Sequence, residues 1–76
     1  MLTYEECKEI AVNRVKGYDL TIDKAYKLNG AYVFDSNVEL MGILPIVVDT
    51  EGNTKGIWAY INEHDLTMDD MEEIEL

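Results

Sequence analysis

The chain has 76 residues, with 16 Asp and Glu against six Lys and Arg, for a formal net charge of −10. A chain this short has room for one hydrophobic core and buries only about 60% of the surface its unfolded form exposes, so residues 1–76 are expected to form a single domain. The hydrophobic share of 47% is too high for a disordered chain, and the negative field disfavours a phosphate backbone or an anionic membrane as partner.

The N-terminal helix is expected over residues 3–17. Thr3 followed by Glu6 is a capping box, in which the hydroxyl accepts from the Glu6 backbone and the Glu6 carboxylate reaches back. Leu2 and Cys7 stand where a hydrophobic staple would sit. Cys7, Ile10, Ala11, Val15 and Tyr18 recur at helical spacing and form one apolar stripe. Acids crowd the first turn and bases the last, as the helix dipole prefers. Gly17 is a natural C-cap.

Residues 20–35 read as a hairpin. Leu20, Ile22, Tyr26 and Leu28 alternate with polar positions, although Lys24 and Ala25 interrupt the alternation. Asn29-Gly30 is a strong hairpin signal because both residues tolerate positive φ. The returning strand is Ala31–Asp35. Residues 36–42 form a connection with several apolar members, Val38, Leu40 and Met41. A second hairpin is expected over residues 43–61. Its first strand, Ile43–Asp49, is rich in β-branched residues, with Pro45 near its start or on an edge. Its turn holds Gly52, and Gly56–Ile61 is its second strand. The expected fold is α+β: an N-terminal helix packed on a four-stranded antiparallel meander sheet.

Residues 62–76 carry seven acids and no Lys or Arg, leaving nine acids against six bases in the rest of the chain. The acidity therefore belongs chiefly to this C-terminal segment. Thr67 as an N-cap with a Leu66–Met71 staple suggests a short helix. Ile74 and Leu76 alternating with Glu73 and Glu75 suggest a last strand instead. The helix is the preferred expectation.

Candidate chemistry is sparse. His64, the one histidine, lies between Glu63 and Asp65, but a zinc site needs three or four ligands; a solvated imidazole is the expectation. Cys7 lies at a helix N-terminus, which lowers a thiol pKa, yet it falls on the apolar stripe and reads as core. With no second cysteine there is no internal disulfide, in keeping with a reducing compartment. Asp69, Asp70, Glu72, Glu73 and Glu75 lack the spacing and central Gly of an EF-hand loop. No phosphate loop, no Ser/His/Asp set and no cofactor motif is present, so neither catalysis nor a cofactor or metal is expected. Most of Tyr26, Tyr32, Phe34, Trp58 and Tyr60 should be core or half-buried, and more aromatics than one helix can cover would leave an exposed patch suited to an interface.

The N-terminus lacks the basic region and apolar run of a signal peptide. No stretch approaches the roughly 20 apolar residues of a membrane span. The expected location is cytoplasmic.

Tyr32-Val33-Phe34 and Pro45-Ile46-Val47-Val48-Asp49-Thr50-Glu51-Gly52, following an N-terminal helix, resemble the small α+β immunity proteins of bacterial polymorphic-toxin systems. Tyr32 stands where that family usually has Trp, and Gly42-Ile43-Leu44 where it has Gly-Asn-Gly before the Pro. The resemblance covers about half the chain and implies a non-enzymatic, acidic inhibitor that binds a toxin. It supplies no catalytic residue.

The leading expectation is a protein-binding domain with a basic protein partner, contacted through Glu63, Asp65, Asp69, Asp70, Glu72 and Glu73 and through residues 36–42. Deleting residues 62–76 should then abolish binding and leave the hairpins folded. The alternative is a phage or mobile-element accessory protein whose acidic surface imitates nucleic acid. A third class, a small enzyme or ligand-binding fold, needs a pocket of a few hundred Å3, which at this length would cost most of the core. Exposed sheet edges leave a homodimer open.

Overall fold

The structure is a computed structural model that describes residues 1–36 and 45–75. The fold is α+β: among the described residues, an N-terminal helix, a five-stranded antiparallel sheet and a short second helix.

The first helix, α1 (Tyr4–Lys16), starts at the expected capping box: the Glu6 amide donates to Thr3 Oγ1 at 3.2 Å, and the Thr3 amide donates to Glu6 Oε1 at 3.0 Å. Two orphan donors of the first turn are thereby satisfied locally. Its inward face is Cys7, Ala11 and Val15, all fully buried. Tyr18, expected on this stripe, lies beyond the helix and is exposed.

Strands β1 (Lys24–Leu28) and β2 (Ala31–Asp35) form the expected hairpin, with Asn29 and Gly30 at φ 52° and 83°. That geometry suits a two-residue turn that follows strand twist. The strand starts at Lys24, later than expected. Ile22 and Ala25 both pack on the α1 side of the sheet, whereas Tyr26 and Leu28 pack on the other. The apolar phase thus slips by one residue between Ile22 and Ala25, which accounts for the interruption at Lys24 and Ala25.

Strand β3 (Ile46–Val48) pairs with β2, and β4 (Thr54–Gly56) pairs with β3. All three β3 residues are buried, because both faces of the sheet are covered at its centre. The expected residues 37–44, including Ile43 and Leu44 of the second hairpin and most of the 36–42 connection, lie outside the described residues. Ser36, which is described, is buried, and its hydroxyl donates to Asp23 Oδ2 at 3.3 Å.

The expectation of a strand through Ile61 is overturned. After Gly56 the chain turns into helix α2 (Ile57–His64). Two-residue alternation would have sent Ile57, Ala59 and Ile61 to one side. Instead Ile57, Tyr60 and Ile61, at spacings of three and four, face inward together and cover Val33 and Val47. The sheet face away from α1 carries Leu28, Ala31, Val33 and Val47, all buried in this second core. One helix could not cover both faces.

The C-terminal segment combines both sequence readings. Asp65 caps α2 in the left-handed region at φ 55°, and a 3-10 turn spans Met68–Asp70. The preferred short helix is reduced to that single turn. Strand β5 (Glu72–Ile74) then pairs antiparallel with β1, giving the order β4-β3-β2-β1-β5. Leu66 and Met71 pack against the α2-side core and Ile74 against the α1-side core.

Candidate functional site

The groove between α2 and the β3–β4 hairpin has a volume of about 470 Å3 and is lined by Val47, Asp49, Asn53, Lys55, Tyr60, Glu63 and His64. The groove opens at the surface, with buried Val47 and Tyr60 contributing to its lining.

Most of its polar groups serve the fold. Asp49 heads the β3–β4 turn: its carboxylate accepts from the Glu51 amide at 2.9 Å, the Asn53 amide at 2.9 Å and Asn53 Nδ2 at 3.1 Å. This is an Asp side chain organising the backbone of its own turn. Partial burial pushes its carboxyl pKa up, but the donors from Asn53, Glu51 and Gly52 together outweigh it and hold the group below the usual carboxylate range. The turn also receives the N-terminus, where the Leu2 amide donates to the Thr50 carbonyl at 2.7 Å.

Lys55 donates to Glu63 and forms an ion pair with it across the groove. That contact lowers the Glu63 pKa. Both side chains are substantially exposed, so the pair is screened by solvent and stabilises weakly. His64 is exposed in the last turn of α2, with its ring centroid 4.4 Å from that of Tyr60. Among the described residues no group of three His, Cys, Asp or Glu is placed to hold a metal ion.

Cys7 is fully buried under α1, and its thiol approaches the Asp49 carbonyl at 3.5 Å. Burial, with Asp49 and Glu6 adding, pushes its pKa up. A protonated, enclosed thiol is a poor nucleophile.

The six acids singled out as partner contacts do not all lie on one face of the sheet. Glu63 is spoken for by Lys55. Asp65 occupies the helix cap, and Asp70 accepts from the Thr67 amide at 2.9 Å. Asp69 is exposed in the 3-10 turn. Glu72 and Glu73, as neighbours in a strand, point to opposite faces of the sheet; Glu72 is the register partner of Lys27, and Glu73 that of Tyr26.

Trp58, one of five aromatics most of which were expected to be core or half-buried, is 68% exposed. It lies on α2 outside the inward set Ile57, Tyr60 and Ile61, and Asn62, one turn later, is also exposed. The other strand aromatics follow expectation more closely. Phe34 is fully buried, and Tyr4 stacks edge-on to Tyr32 at 5.1 Å over the α1-side core. The signal for Trp58 exists in the sequence only once residues 57–64 are read with a period of 3.6.

No helix is long and apolar enough to cross a membrane among the described residues. No protein-family model, curated protein or solved structure matches the chain.

Proposed function

We propose that the chain is a non-enzymatic protein-binding domain of the inhibitor or immunity type, acting on a basic protein partner. The observation that carries this reading is Trp58, a large apolar side chain 68% exposed on a two-turn helix in a chain of net charge −10. An exposed tryptophan has no folding role that requires its size, whereas tryptophan is the residue type most enriched at the energetic centres of interfaces. Its indole face also attracts Lys and Arg, so the same residue suits the partner that the surrounding charge steers in. Most polar groups of the nearby groove, Asp49, Asn53, Lys55 and Glu63, are committed to a turn and an ion pair, which favours binding over catalysis.

The test is affinity capture with the tagged chain from the lysate of its native host, at low and high salt, beside the Trp58→Ser variant. One dominant basic protein should be retained, with retention weakened about thirtyfold by Trp58→Ser, as for loss of an interface hot spot. Retention that is indifferent to both Trp58 and salt, or no retained protein at any salt, overturns the proposal.

A further inference from the structure

We infer that the outer edge of β5 is a docking strand that takes up a basic, extended segment of another protein by β-addition. The sheet order β4-β3-β2-β1-β5 leaves β5 with β1 as its single neighbour among the described residues. An edge strand presents a row of main-chain donors and acceptors, and pairing with them is a recurrent mode of peptide recognition. The inference deepens the proposed function, on which it rests for the sign of the partner's charge.

The occupant follows from the side chains of β5 and from what β5 itself does. Glu72, Glu73 and Glu75 surround Ile74 in this stretch, and all three acids are exposed. A second copy pairing edge to edge would set these acids against their equivalents, and like charges directly opposite in a sheet are destabilising. A strand bearing Lys or Arg would meet opposite charges at the same positions. The inner edge of β5 already makes such a pairing: β1, Lys24-Ala25-Tyr26-Lys27-Leu28, places Lys27 opposite Glu72. Glu73, on the other face by strand periodicity, has Tyr26 and no basic residue as its register partner on β1. A basic strand on the outer edge would supply the complement of Glu73 and cover the remaining exposure of half-buried Ile74.

The second edge is a poorer acceptor. Strand β4 holds Lys55, which repels a basic segment, and after Gly56 it turns directly into α2. Lysine at an edge is a device that discourages pairing.

The experiment titrates the isotope-labelled full chain with a seven-residue peptide alternating Lys and Val, at low salt. Two control peptides accompany it: one with Glu in place of Lys, and one N-methylated at alternate backbone nitrogens, which keeps the charge but removes strand donors. The inference expects saturable binding with a dissociation constant below about 1 mM and slowed hydrogen exchange of outward amides in residues 72–75. Exchange over Thr54–Gly56 should be unchanged. Both controls should fail to bind at this site. The double variant Glu73→Lys, Glu75→Lys changes exposed positions only and should weaken binding about tenfold while its far-UV dichroism stays that of the parent.

Absence of saturation by about 1 mM overturns the inference, as does binding that leaves residues 72–75 unprotected. Equal binding of the N-methylated peptide would show plain charge attraction and overturn β-addition. Protection of residues 72–75 that grows with protein concentration alone would show a second copy on the edge and overturn the basic occupant. None of these results touches Trp58-dependent capture, so failure here and failure of the protein-binding reading remain distinguishable.

Discussion

Removing residues 66–76 should destabilise the whole fold, contrary to the sequence expectation that the acidic segment is a detachable docking tail. The truncation takes away Leu66 and Met71 from the α2-side core and Ile74 from the α1-side core, all half-buried. Full burial of such side chains is worth roughly 1.5–3 kcal/mol each, so half-burial contributes about 1 kcal/mol each and about 3 kcal/mol together. Pairing of β5 with β1 over Ala25–Lys27 is lost as well. An opposing effect exists, since the deletion removes five acids, Asp69, Asp70, Glu72, Glu73 and Glu75, from a chain of charge −10. At an ionic strength of about 0.15 M the screening length is about 8 Å, so relief of repulsion among exposed carboxylates is the smaller term. A domain of this length has a total stability of roughly 4–11 kcal/mol, and the truncated chain should therefore be marginal. Urea denaturation followed by far-UV dichroism is the assay. With a slope of about 1–1.5 kcal/mol per molar, the midpoint should fall by about 2 M or more. An unchanged midpoint, with β1–β2 amides as protected as in the full chain, would refute the packing argument and restore the detachable tail.

Three further outcomes follow from single residues. Asp49 has its pKa lowered by the turn donors that outweigh its burial, so it contributes stability above its unfolded pKa that is lost as pH falls through its lower folded value; Asp49→Asn should lower stability at neutral pH and flatten the acid limb, and a parallel acid titration would contradict this. Cys7, buried and shifted upward, should react with a thiol reagent only at the rate of opening, and native stability should decline as pH rises past the ordinary thiol range of about 8.5. Immediate stoichiometric labelling of the native chain would contradict its burial. Gly52 sits at φ 89°, and an added Cβ would meet Leu2 Cδ1 at 3.3 Å; Gly52→Ala should cost about 1–2 kcal/mol through strain in the left-handed region, read as a lowered urea midpoint. A neutral or stabilising effect would show that the turn rearranges.

The contrast between what could be read from the chain and what could not is sharpest at the two helices. For α1 every signal is local: Thr3 and Glu6 close a capping box within one turn, and Cys7, Ala11 and Val15 recur at a spacing only a helix brings to one side. The Asn29-Gly30 hairpin is local too, because the turn demands positive φ at two adjacent residues. Ile57-Trp58-Ala59-Tyr60-Ile61 is a short apolar run that fits either period, and short runs of this kind cannot be resolved by pattern alone. Tertiary structure resolves it through the exposed half of the problem: the sheet carries Leu28, Ala31, Val33 and Val47 on the face that α1 does not reach, and the run becomes the helix that covers them.

The same dependence governs the candidate surfaces. Charge asymmetry was visible as a count of acids near the C-terminus, but a count has no direction. The pairing of β5 with β1 sends Glu72 and Glu73 to opposite faces, the β4 register brings Lys55 to Glu63, and the helical period of α2 leaves Trp58 outside. Local chemistry thus determined where the first helix and first hairpin form. Which residues share a face, and hence which acids and which aromatic the surface presents together, was decided by long-range pairing and by the need to bury both sides of one small sheet.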